Sequence, residues 1–142
     1  MTRTHVAHQL SAVCVLGLAL LAVSCASAPP RPEELAGADY GSPITQEDAQ
    51  ASAQAFLKRH LKDPSSAQVD WGGVNRGWMR EAPIHGNKLR FGYMLTASVN
   101  AKNSFGAYTG YKPYQFFFFN GALVSVYAEQ ENRGTTYMGK IY

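Results

Sequence analysis

The apolar residues of this chain change their period along its length. Leu10 to Val23 is a nearly unbroken apolar run, interrupted only by Ser11 and Gly17. It falls short of the ~20 residues that a membrane-spanning helix needs. Ala26 to Pro43 has no apolar period. Its four prolines (Pro29, Pro30, Pro32 and Pro43) and the pair Glu33-Glu34 predict an extended, solvated tether. From Thr45 the spacing becomes helical. Ala49, Ala53, Phe56, Leu57 and His60 recur on one face of a helix that runs to His60 or Leu61. Thr45 is the candidate N-cap, with Asp48 placed three residues on, as in a capping box. Glu47 and Asp48 suit the positive end of the helix dipole, and Lys58, Arg59, His60 and Lys62 the negative end. Pro64 stops the helix by pushing the residue before it out of the helical region.

After the Asp63-Pro64-Ser65-Ser66 turn the period drops to two. Ala67 to Trp71 alternates as a strand, Gly72-Gly73 breaks it, and Val74 to Met79 is a weaker strand candidate. Glu81 to Lys88 carries Pro83, Gly86 and Asn87 and predicts a turn. Leu89 to Asn100 is the longest alternating run, with Leu89, Phe91, Tyr93, Leu95, Ala97 and Val99 on one face. Tyr114–Phe119 and Ala122–Tyr127 flank Asn120-Gly121, the signature of a type I′ hairpin turn. Simple alternation pairs Phe119 with Ala122 and Phe117 with Val124. It gives one face to Phe117, Phe119, Ala122, Val124 and Val126. The other face then holds Tyr114, Phe116, Phe118, Leu123 and Tyr127. Both faces are apolar, so this second set is a candidate interaction surface. Thr136 to Met138 could add a short edge strand. One leading helix followed by strands predicts an α+β fold. The expected architecture is one N-terminal helix on an antiparallel sheet of about four strands, with the Asn-Gly hairpin inside it.

Composition narrows the function classes. The chain has 142 residues and a formal net charge of +3, too weak for nucleic acid or for a polybasic membrane patch. The chain has two cysteines, Cys14 and Cys25. Leu21-Ala22-Val23-Ser24-Cys25 closes the apolar run and is followed by the small residue Ala26. This stretch resembles a bacterial lipobox, with Ala22 at the position where Leu is commonest. The resemblance implies a lipoprotein signal peptide over residues 1–24, then lipidated Cys25 and the proline-rich tether over 25–44, then a single α+β envelope domain over 45–142. It implies acyl chains such as palmitate on Cys25, a membrane attachment and a periplasmic location. Ala26 in place of Asp implies sorting to the outer membrane. Cys14 would leave with the signal peptide, so the mature chain would hold neither disulfide nor free thiol. Two other N-termini remain open: an uncleaved anchor, and cleavage after Ala26-Ser27-Ala28, which Pro29 disfavours.

Asn100 to Pro113 is expected as a loop joining the longest strand to the hairpin. It collects Asn100, Lys102, Asn103, Tyr108, Tyr111 and Lys112. The lysines and backbone amides could hold an anion, and the tyrosines could stack on a sugar. As a purely structural connection, its glycines would supply positive φ and its Asn side chains would bond the backbone. The Asp63-Pro64-Ser65-Ser66-Ala67-Gln68 turn after a helix, paired with Asn100-Ala101-Lys102-Asn103-Ser104-Phe105-Gly106, resembles a group of small bacterial exported proteins and lipoproteins. The likeness spans roughly Gln54 to Tyr127. Members often carry a Cys-Gly pair before the Asn-Ala-Lys-Asn stretch, where this chain has Thr96-Ala97-Ser98. The resemblance implies no particular activity.

His60 and His85 lack metal-ligand spacing, Asp63 and Asp70 form no convincing catalytic pair, and Ser65 and Ser66 lack a nucleophile-elbow context. Trp71 and Trp78 fit the core or a sheet edge. No enzyme, cofactor or metal is therefore expected. Two functions fit: a non-enzymatic domain that binds an envelope protein, or a binder of envelope glycan, peptidoglycan or another small anion through residues 100–113.

Overall fold

The computed structural model describes residues 29–142. The apolar run and Cys25 lie outside the described residues. A short helix α1 (Pro32–Ala36) precedes the main helix α2 (Gln46–His60). Five strands follow: β1 (Gln68–Arg80), β2 (Leu89–Lys102), β3 (Tyr108–Phe119), β4 (Ala122–Asn132) and β5 (Thr135–Lys140). They form one antiparallel meander in the order β1-β2-β3-β4-β5. The domain is α+β, with five strands in place of the expected four. Its main helix is preceded by α1, in a segment that composition alone assigns to an extended tether. Pro32 at the first helical position is pre-set for helix. Glu34 closes the turn by accepting a 2.8 Å bond from the Arg31 amide.

The helix α2 forms as its pattern requires. Thr45 accepts the Asp48 amide at 3.1 Å. Ala49, Ala53, Phe56 and Leu57 are its buried face. They pack on Leu95, Ala97, Val99, Phe116, Phe118 and Val126 of the sheet. The small alanines let the helix approach the strands closely.

Gly72-Gly73 does not end the first strand. β1 runs through it with a bulge between Trp71 and Val74. Gln46, the first residue of α2, clamps this bulge. Its amide nitrogen donates to the Gly72 carbonyl at 2.9 Å, and its amide oxygen accepts from the Val74 amide at 2.8 Å. The bulge's backbone groups are thus satisfied by a side chain where the strand ladder lapses.

Asn120 and Gly121 have φ of 50° and 74°, as the two-residue turn demands, and Phe119 pairs with Ala122. The next step corrects the expected register. A second bulge places Phe117 opposite Ser125, not Val124. One inserted residue exchanges the faces of everything beyond it. Val126 therefore joins the helix-side core at 0% exposure, and Tyr127 moves to the other face. Val124, the extra residue, is 42% exposed.

That other face is closed by the sheet itself. The Ser125 hydroxyl donates to the Met79 sulfur at 3.3 Å, although β2 and β3 lie between their strands. The sheet must coil strongly for these side chains to meet. Phe117 and Ser125 are buried within the coil. Both apolar faces of the β3–β4 hairpin are therefore covered, one by α2 and one by curvature.

Candidate functional site

The end of α2 and the β2–β3 hairpin meet at one corner of the domain. The stretch 100–113 is not a crossover loop. β2 continues to Lys102 and β3 starts at Tyr108, with Asn100 opposite Tyr111 and Val99 opposite Lys112. Only residues 103–107 are outside the strands. Pro113 is tolerated because pairing with β4 begins only at Tyr114, so the missing amide hydrogen leaves no gap in that ladder.

The two asparagines build the hairpin. The Asn103 side-chain oxygen accepts from the amides of Phe105 (2.9 Å) and Ala107 (3.2 Å). The Asn100 side-chain oxygen accepts from the Gly110 amide at 3.1 Å. Gly106 and Gly110 take φ of 80° and 88°, where a side chain would be strained. The tyrosines tie this hairpin to the turn after α2. Tyr108 donates to the Ser66 carbonyl at 2.9 Å, and Tyr111 to Gln68 at 3.4 Å. Lys62 donates to Ser104 at 2.8 Å from the helix side. The same turn is held by Asp63, whose carboxylate accepts the Ser65 and Ser66 hydroxyls at 2.7 Å each. These hydroxyls hold its pKa below the ordinary carboxylate value, helped by the backbone amide of Ser66 and the charge of Lys102.

Between these stitches lies a pocket of about 180 Å³. His60, Lys62, Lys102 and Lys112 contribute to its wall, together with Thr109 and Tyr114, over Leu61, Val99 and Ala101. Lys102 stands 5.3 Å from the centre of the Tyr108 ring, a cation–π distance. Lys112 is 3.4 Å from a Glu129 oxygen, and both are partly exposed, so that pair is a weak restraint. Burial raises the pKa of Tyr114, which keeps its phenol neutral. The chain matches no family model, no curated protein and no solved structure.

The structure thus sorts the six loop candidates. Lys102 and Lys112 share the pocket. Asn100 and Asn103 serve the backbone. Tyr108 lies beside Lys102, and Tyr111 does not line the pocket. Sequence reasoning missed His60 and Lys62 as members of this site. Both read as ordinary helix-end cations, and only the fold of the hairpin back onto the helix brings them to the lysines of β2 and β3.

The second candidate surface is corrected. Phe116 and Phe118 are 0% exposed beneath α2, Tyr114 and Leu123 are packed against the same core, and Tyr127 is on the opposite face. Phe116 and Phe118 are interior because α2 packs on their side of the sheet, while Tyr114, Leu123 and Tyr127 are partly buried. Among the described residues, no three His, Cys, Asp or Glu side chains stand close enough to hold a metal ion. The lining of the pocket offers positive charge and hydrogen-bond donors, which is the equipment for holding an anion.

Proposed function

We propose that this protein is a non-enzymatic, lipid-anchored bacterial envelope protein that binds an anionic envelope ligand in the corner pocket. The anchor is lipid on Cys25, and the location is the periplasmic side of the outer membrane. One observation carries the binding reading: His60, Lys62, Lys102 and Lys112 come from three separate segments and converge on one pocket of about 180 Å³. Lys62 and Lys102 bring positive charge that an anion would offset, while Lys112 is partly offset by Glu129. The size suits a single carboxylate or phosphate group, such as one carried by peptidoglycan or an envelope glycan, with the rest of the ligand outside. The pocket presents no nucleophile paired with a base, which favours binding over bond making.

The decisive experiment is titration of muropeptides into the full-length protein in detergent, followed by NMR. Shifts are expected at Lys62, Lys102 and Thr109. Muropeptides with amidated carboxylates should not bind. Lys102→Gln should weaken binding by about tenfold, the loss expected for one charge-assisted hydrogen bond. Absence of shifts at these residues would remove the reading.

A second reading is an envelope protein partner. Phe105, at the tip of the β2–β3 hairpin, is 95% exposed and favours it. A photo-crosslinker at position 105 in living cells would capture such a partner, and Phe105→Ser should abolish the capture if the ring is the contact.

A further inference from the structure

The described chain begins at Pro29, close in sequence to Cys25. The position of this entry on the domain restricts how the domain can sit on a bilayer. Ser42 donates its amide to the Asn120 side chain at 2.9 Å, in the β3–β4 turn. The Tyr40 ring lies 5.4 Å from Phe91, near the start of β2. Asp39 and Lys88 line one cavity of about 400 Å³. Arg76 of β1 stands 5.0 Å from the centre of the same Tyr40 ring. The entering segment therefore lies at the sheet end that carries the β1–β2 and β3–β4 turns. Phe105 and the cationic pocket lie toward the opposite end, where β2 turns into β3.

The point of entry distinguishes the two ends. From Cys25 to Asp39, with five residues wound into α1, the chain spans at most about 40 Å. β2 alone has 14 residues, about 45 Å of extended strand, and the hairpin tip lies beyond it. A lipid on Cys25 would thus tether the domain through the end remote from the Phe105 tip. The entry end also carries apolar side chains with no core to enter. Ile84, at the apex of the β1–β2 turn, is 86% exposed, and Leu35 on α1 is 45% exposed. Lys88, in the same turn as Ile84, is exposed and suits anionic headgroups.

We infer that the β1–β2 turn rests on the phospholipid surface with Ile84 in the headgroup boundary, so that the cationic pocket and Phe105 point away from the membrane. The inference rests on the reading that Cys25 is lipidated. The short segment is then an orienting arm, not a free spacer.

The test uses full-length protein purified from a bacterial host and reconstituted into vesicles of phosphatidylethanolamine and phosphatidylglycerol. Ile84→Cys and Phe105→Cys are each labelled with a nitroxide. Access to oxygen and to a water-soluble nickel chelate is then read by electron paramagnetic resonance. The label at 84 should lose chelate access and gain oxygen access relative to the same protein in detergent. The label at 105 should show neither change. Mass spectrometry of the same samples reads the N-terminus. A lipidated Cys25 with equal chelate access at both positions overturns the orientation alone. An N-terminus without lipid overturns the anchoring, and the orientation with it.

Discussion

Gly77 and Gly92 stand opposite each other in the β1–β2 ladder, on the face away from α2. The space where a Cβ on Gly92 would stand is taken by the Phe117 ring and the Phe118 carbonyl, and Met94 crowds the same position at Gly77. The missing side chains let the sheet fold inward along this pair. That bend brings Met79 to Ser125 and closes the second apolar face of the hairpin.

Gly92→Ala should therefore be strongly felt. The obstruction includes backbone, which cannot swing aside, so the cost should be about 1–3 kcal/mol, the range for forced overpacking. Gly37→Ala is the control. Its nearest neighbour would be 3.8 Å away and its φ is −97°, so its effect should stay within about 0.5 kcal/mol. Urea midpoints of the two variants check this. Equal midpoints would mean that the coil does not depend on Gly92.

Met79 is the lid of the coil. It is 8% exposed. Met79→Ala should cost about 2–5 kcal/mol through the cavity it leaves. Met79→Leu keeps the volume and should cost under about 1.5 kcal/mol. Binding of a fluorescent apolar dye should rise for the alanine variant, because the side of the coil that Met79 closes over Ser125 is opened.

The parts of this fold legible in the sequence are those set by local chemistry. Thr45 with Asp48, the alanine face of α2 and the Asn120-Gly121 turn each depend on residues a few positions apart, and each is found. The misread parts depend on partners far along the chain. Gly72-Gly73 looks like a strand break because nothing nearby announces that Gln46 will hold both sides of it. Strict alternation assigns Val124 a partner, and the bulge that displaces it is visible only once Ser125 has to reach Met79. The pocket shows the same limit. Lys102 and Lys112 stand out in the sequence as part of an unusual stretch, whereas His60 and Lys62 acquire their meaning only from the hairpin that packs back on the helix.

The Gln46 clamp gives a local prediction. Gln46→Ala removes two hydrogen bonds at once, and both are solvent-accessible, so the cost should be about 1 kcal/mol. Gln46→Glu retains the acceptor for the Val74 amide and loses the donor to Gly72, and it should fall between. Amide hydrogen exchange at Val74 is the direct readout. It should accelerate in the alanine variant and remain slow in the glutamate variant.

Tyr114 should make the domain fragile at high pH. Its phenol is pushed above the ordinary value of 10.0 by burial. The unfolded chain releases this proton first as pH rises through about 10, while the folded chain still holds it. The contribution is fully present below that pH and is lost as pH rises through the folded value. Tyr127 is shifted the same way, first by burial and second by the charge of Glu81. Urea midpoints measured from about pH 8 to pH 11 should therefore fall, across the range where a free tyrosine ionises. Tyr114→Phe should flatten that fall while leaving the neutral-pH midpoint nearly unchanged. Glu81→Gln should reduce only the part due to Tyr127. An unaltered slope in the Tyr114→Phe variant would show that the phenol at the back of the cationic pocket is reached by water, and that the pocket is wetter than its packing against α2 implies.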